Sequence, residues 1–187
     1  MPDLARRRAL LAMAVGTGTL TACQRQGTNA SASSSSSSSQ THPVTPAAFD
    51  YTLLDGVPRH SAGLNGTVVL VNFWATTCAV CLREMPRIVA THRQFSPRGL
   101  QTLAVAMRDD PPALVVRYAQ SHGLPFGVAI DNTGAIAKAF GGVRGTPTSL
   151  LLDRSGRIVW RHEGEPDFDA LHTRLEGLLG APGPVAA

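Results

Sequence analysis

Apolar positions along the 187-residue chain change period several times, and each change marks an expected element. Residues 67–73 are almost continuously β-branched or apolar, a run too short for a buried helix, so they are expected to form a central strand covered on both faces. Residues 100–107 and 126–130 carry similar runs and read as two further strands. Between these strands the period lengthens. Residues 84–95 read as the continuation of a helix that opens at Cys78, and residues 111–122 as a helix with proline in its first turn. A short helix is expected over 135–140, ahead of the Gly141-Gly142 break. Residues 148–152 and 157–162, joined by the turn 153–156, read as an antiparallel pair. Leu171, Leu175, Leu178 and Leu179 lie along one face of a last helix, 168–179. Nearer the start, 49–54 and 57–60 flank Asp55-Gly56 and predict a small hairpin. The alternation implies an α/β fold, a central mixed sheet with helices packed on its two faces and an extra N-terminal β-hairpin. No internal repeat is apparent.

Both ends of the chain depart from this pattern. Arg6, Arg7 and Arg8 precede the weakly apolar run 9–22, which at 14 residues falls short of the roughly 20 that a spanning helix needs. Residues 1–22 are therefore expected to be an export signal. The closing quartet Leu20-Thr21-Ala22-Cys23 resembles the lipobox of bacterial lipoproteins, which implies cleavage before Cys23 and acylation of its thiol. Residues 23–45, with an unbroken serine run from Ser33 to Ser39, cannot bury enough apolar area to offset their ordering entropy and are expected to act as a flexible tether. Such a tether spans on the order of 25 Å. The folded domain is expected over 46–180, followed by a frayed tail, 181–187.

Charge excludes one class of partner. The expected signal carries three arginines and Asp3, so its removal takes 17 basic and 13 acidic residues to 14 and 12. The remaining basic residues are scattered singly, without the stripe that a nucleic-acid surface requires. Cysteine usage narrows the chemistry further. Three cysteines leave one odd thiol in an oxidising space, and acylation of Cys23 would remove it. Cys78 and Cys81 then form the only pair.

Cys-x-x-Cys after a strand and at a helix opening is the arrangement a dithiol needs for electron exchange. The attacking species is a thiolate, and the unsatisfied N–H groups and positive dipole end of a helix N-terminus favour that anion. Cys78 is accordingly the expected nucleophile. Cys81, one turn deeper on nearly the same face, is the expected resolving thiol. Zinc sites use the same spacing but need four ligands, and the histidines at 42, 60, 92, 122, 162 and 172 fall in no paired spacing. No metal or cofactor is expected.

Three distant features add weight: Trp74 four residues before Cys78, Pro86 eight residues after it, and Gly145-Thr146-Pro147-Thr148 ahead of the late strand. With these the chain resembles the thioredoxin superfamily, and within it the TlpA/ResA-like thiol–disulfide oxidoreductases. Those share a Trp-Ala-Thr-x-Cys-x-x-Cys-x-x-Glu-Met-Pro pattern and a later Gly-Thr-Pro-Thr. The resemblance covers residues 46–180. It implies a cis Thr146-Pro147 bond in a loop lying against the dithiol, with the backbone at Thr146 turned outward to pair with an extended substrate. It also implies that Trp74 walls the site and, with Thr77 and Thr146, contacts substrate, and that Glu84 tunes the thiols or relays a proton from Cys81.

Some positions depart from the family pattern. Asn72 stands where thioredoxin carries a buried aspartate, and an amide cannot accept and return a proton. Thr77 stands where many relatives have tryptophan. The intervening pair Ala79-Val80 carries no charge to stabilise the reduced form, which points towards a reductant. Trp160, in a late strand, is expected to serve packing. The expectation is thus an exported, membrane-anchored oxidoreductase, periplasm-facing and monomeric. It would reduce disulfide-containing proteins and be recharged by an upstream membrane thiol donor. A Cu(I) module and a thiol peroxidase are the alternatives. Against the first, the copper chaperones most similar in fold space their cysteines by three. Against the second, peroxidase relatives carry threonine where this chain has Ala75.

Overall fold

The computed structural model describes residues 44–180. The expected signal 1–22, the expected acylation site Cys23, nearly all of the expected tether and the tail 181–187 lie outside the described residues. Val44 forms an isolated bridge with Ile158, its carbonyl accepting from the Ile158 N–H at 2.9 Å. The folded unit therefore reaches slightly further towards the N-terminus than the boundary at 46.

Elements run β1 (Asp50–Thr52), β2 (Pro58–His60), β3 (Val68–Trp74), α1 (Ala79–Phe95), β4 (Leu100–Ala106), α2 (Pro112–Ser121), β5 (Gly127–Ile130), α3 (Ala135–Ala139), β6 (Thr148–Leu152), β7 (Ile158–Glu163) and α4 (Phe168–Leu179). Strands β5, β4, β3, β6 and β7 lie in that order in one sheet, with β1 and β2 a separate antiparallel pair. The β3–β4 and β4–β5 pairs are parallel, whereas β3–β6 and β6–β7 are antiparallel. The fold is the thioredoxin-like α/β fold expected.

Every residue of β3 is buried, as its unbroken apolar run requires of a strand covered on two faces. Val68, Leu70 and Trp74 face a core built with Met85, Ile88 and Phe95 of α1, Val115 of α2, and Leu171, Leu175 and Leu179 of α4. Val69, Val71 and Phe73 face the opposite core, with Ile136 of α3, Phe140, Leu150 and Phe49. Of the predicted leucine stripe, Leu171, Leu175 and Leu179 are buried while Leu178 packs only partly. Trp160 likewise packs partly against the α1-side core, in keeping with a packing role.

Two single 3-10 turns, Ser61–Leu64 and Ser96–Arg98, were not anticipated, because one turn is too short to show a period. The hairpin has a further role. Leu53 bridges Ala129 and the Leu54 N–H donates to the Val128 carbonyl at 2.9 Å, so the chain after β1 covers the β5 edge. At the other end of the sheet, the β6–β7 turn closes on Gly156 at φ 76, where a Cβ would lie 2.6 Å from the Asn65 Oδ1. Only glycine meets both demands.

Candidate active site

β3 ends at Trp74 and delivers the chain through Ala75, Thr76 and Thr77 to Cys78. Cys78 is the N-cap of α1, in extended backbone at φ −91 and ψ 100. Its Sγ accepts a hydrogen bond from the Cys81 N–H at 3.2 Å, so the sulfur occupies the place of a capping oxygen. Cys78 and Cys81 are joined in a disulfide with their Cα atoms 5.2 Å apart. Their exposures differ decisively: Cys78 is half-buried, whereas Cys81 has 0% of its surface exposed. Only the Cys78 sulfur can be approached from outside.

The loop before Cys78 is held by a residue that sequence reasoning missed. Asp110 is 3% exposed, and its carboxyl accepts from the Thr76 N–H at 2.7 Å and from the Thr76 hydroxyl. The Cys78 N–H closes a turn onto the Ala75 carbonyl at 3.1 Å. Asp110 lies between the end of β4 and the start of α2, and its nearness to Thr76 follows from the parallel pairing that sets Trp74 opposite Ala106. The only sequence signal was a polar residue immediately ahead of the predicted helix at 111–122.

Glu84 lies one turn beyond Cys81 and is fully buried. Its Oε1 accepts from the Asn72 Nδ2 at 2.9 Å, and the same Nδ2 donates to the Ser149 Oγ at 3.1 Å. The Glu84 Oε2 and the Asn72 Oδ1 have no partner. Burial pushes the Glu84 carboxyl up from 4.5 to about 7; the Asn72 hydrogen bond opposes the shift, nearby Glu165 adds to it and Arg83 subtracts from it. A buried carboxyl thus lies one helical turn beyond Cys81, hydrogen-bonded to the residue that replaces thioredoxin's aspartate. Asn72 itself exchanges no proton; its amide orients the Glu84 carboxyl.

The Thr146-Pro147 bond is cis. Pro147 is buried and Thr146 half-buried. Since Thr148 pairs with Phe73, the residues just before it stand at the end of the sheet from which β3 runs to Cys78. The loop is tied down by the Gly164 N–H, which donates to the Pro147 carbonyl at 2.8 Å, and by the Thr148 hydroxyl, which donates to the Gly145 carbonyl at 2.7 Å. Thr77 is exposed beside Cys78.

Trp74 requires a correction. It has no exposed surface and packs against Tyr118 at a centroid distance of 5.1 Å, so it supports the site from below and cannot touch a substrate. Its position on the α1-facing side of β3 decides this. Among the described residues no group of three or more His, Cys, Asp or Glu side chains is placed to hold a metal ion, and no helix is long and apolar enough to cross a membrane.

A dithiol at the head of a helix, one sulfur accessible and one buried, on a mixed sheet of this order defines a thioredoxin-fold thiol–disulfide protein. The Redoxin family model matches residues 39–175. A thiol-disulfide oxidoreductase ResA of Bacillus thuringiensis subsp. konkukian is 31% identical over 130 residues, covering 70% of this chain and 74% of the relative. Its counterpart from Bacillus anthracis is 33% identical over 131 residues, covering 70% and 72%. Among solved structures, one assigned as a thioredoxin from Neisseria meningitidis superposes with a TM-score of 0.68 at 37% identity, covering 73% of this chain and 91% of that one. A thiol:disulfide interchange protein of the thioredoxin family from Chlorobium tepidum gives 0.67 at 28%, covering 74% and 98%. The chain belongs to the Redoxin family of the thioredoxin superfamily, in its TlpA/ResA-like branch, and is a thiol–disulfide oxidoreductase.

Proposed function

We propose that the protein is an exported, membrane-anchored reductase of protein disulfides. The observation that carries this reading is the unequal exposure of the two sulfurs, Cys78 half-buried and Cys81 fully buried. In the reduced protein the Cys78 thiolate attacks one sulfur of a substrate disulfide. A Cys78–substrate disulfide forms, the substrate bond breaks, and the displaced substrate sulfur leaves as a thiolate. Cys81 then loses its proton to Glu84, and its thiolate attacks the Cys78 Sγ. The second substrate sulfur is released, the Cys78–Cys81 disulfide closes, and two electrons have passed to the substrate. Both substrate thiolates take up protons, one of them returned through Glu84. A carboxyl with a value of about 7 is half-ionised near neutrality, where it can both accept and return a proton.

The substrate backbone pairs with the loop at Thr146, and Thr77 borders the accessible sulfur. Export through residues 1–22 and acylation at Cys23 would tether the domain to a bacterial membrane on its periplasmic side. An upstream membrane thiol donor would restore the dithiol. The names of the ResA relatives support the chemistry; the basic, apolar and cysteine-terminated start of the chain supports the location.

Trapping tests the reading. Cys81→Ser should accumulate covalent complexes with disulfide-bearing proteins that dissolve on adding reductant, while Cys78→Ser should accumulate none. Equal trapping by both variants would contradict the roles assigned. Labelling of Cys23 by a palmitate analogue in cells, lost in Cys23→Ser, tests the anchor.

A further inference from the structure

One short segment after β7 touches both halves of the active site. Its Gly164 N–H donates to the Pro147 carbonyl at 2.8 Å. Its next residue, Glu165, accepts at a single oxygen from Arg83 of α1, from Nε at 3.3 Å and Nη2 at 2.9 Å. The Glu165 backbone carbonyl lies 3.1 Å from the His162 Nε2, folding the segment back onto β7. Arg87, one turn along α1 from Arg83, sits 4.0 Å above the Phe168 ring. The Pro147 loop and the dithiol helix are therefore joined through residues 164–168, and Glu165 supplies the ion pair in that connection.

We propose that Glu165 is a positioning residue for thiol–disulfide exchange: by gripping Arg83 it fixes α1 against the segment that anchors the Pro147 loop, and it sets the charge around Glu84. The inference rests on the reading of Glu84 as the group that takes the Cys81 proton. The groups facing Glu84 are few. On α1, Arg83 adjoins it, Cys81 precedes it and Arg87 follows it by one turn each; from β3, Asn72 donates to it and to Ser149 of β6, across from which His162 of β7 lies in register; and from the following segment Glu165 bears on its charge. Glu165 is the only other carboxylate among them. Its negative charge repels an ionised Glu84 directly, and it also neutralises the arginine next to Glu84 in sequence. Loss of Glu165 removes the repulsion and frees the Arg83 charge, and both changes favour the ionised form. Arg83 is 64% exposed, so the pair adds little to stability and its removal leaves the fold intact.

The test uses the full chain as wild type, Glu165→Gln, Arg83→Gln and the double variant, with the Glu84 titration read from its carboxyl-carbon chemical shift in the oxidised protein. The midpoint should fall in Glu165→Gln, rise in Arg83→Gln, and lie between the two in the double variant. No movement, or movement of both single variants in one direction, would overturn the inference. The pH dependence of oxidation of each reduced variant by oxidised glutathione should move with the midpoint. A midpoint that moves without the rate profile would also overturn it, and in addition would remove the proton-transfer role of Glu84. Lower thermal stability with neither movement would mark Glu165 as structural only.

Discussion

Glu84→Gln should make the protein more stable at alkaline pH and slower as an enzyme. Burial holds the Glu84 carboxyl at about 7 in the folded chain, against an ordinary value of 4.5. At roughly 1.4 kcal/mol for each pH unit, that gap corresponds to about 3 kcal/mol. The folded value lies above the unfolded one, so the neutral acid is the form the fold accommodates. Its stabilising contribution is fully present below 4.5, declines as pH rises, and is lost above about 7. Glutamine has the same shape and keeps the acceptor for Asn72, but it never ionises. Urea unfolding of the oxidised wild type and variant at about pH 4 and about pH 9 isolates the effect, since every other titrating group is common to both. Near pH 4 the two chains should differ by about 1 kcal/mol or less, the worth of exchanging one buried hydroxyl for an amide. Near pH 9 the variant should gain about 3 kcal/mol relative to wild type, read as a higher midpoint at unchanged slope. A wild-type-to-variant difference that stays constant across this range would falsify the claim that Glu84 is buried and reluctant to ionise. On the proposed mechanism the same variant should also resolve mixed disulfides more slowly at neutral pH, because Cys81 would lose its proton acceptor.

Three further outcomes follow from particular contacts. Asp110→Ala removes both hydrogen bonds that hold Thr76, at a cost of about 2 kcal/mol, and should slow attack by Cys78 on a peptide disulfide. Wild-type rates in that variant would mean that the Thr76 clamp does not position the nucleophile. Leu175→Ala, in the α4 stripe at 0% exposure, should lower stability by about 2–5 kcal/mol in denaturant titration without changing the rate per folded molecule. Burial raises the Asp153 carboxyl, but hydrogen bonds from Ser155 and Arg157 outweigh it and bring it from 3.8 down to about 2. Asp153→Asn should therefore be less stable than wild type above pH 3.8, with the deficit closing as pH falls through about 2; a deficit independent of pH in thermal melts would refute this.

Much of the architecture was legible because burial leaves a period. The unbroken run in β3, the 3.6-residue stripe of α4 and the Asp55-Gly56 turn each carry their element in local sequence. The Cys78–Cys81 spacing named the chemistry for a similar reason, since both sulfurs lie within one helical turn. Position on the sheet was less accessible. Trp74 reads equally well as a wall or as a core residue until its strand is given two covered faces.

By itself, then, the sequence determined what depends on near neighbours: the strands and helices, the dithiol, and the glutamate one turn beyond it. Tertiary structure alone decided what surrounds those groups. Asn72 meets Ser149 across 77 residues, Thr76 meets Asp110 across 34 and Arg83 meets Glu165 across 82. Those meetings depend on which strands pair and in what register, a property of the packed chain as a whole. The physical consequence is largest at Glu84, where a residue that a helical wheel leaves free to face water is instead enclosed, and enclosure pushes its carboxyl up from 4.5 to about 7.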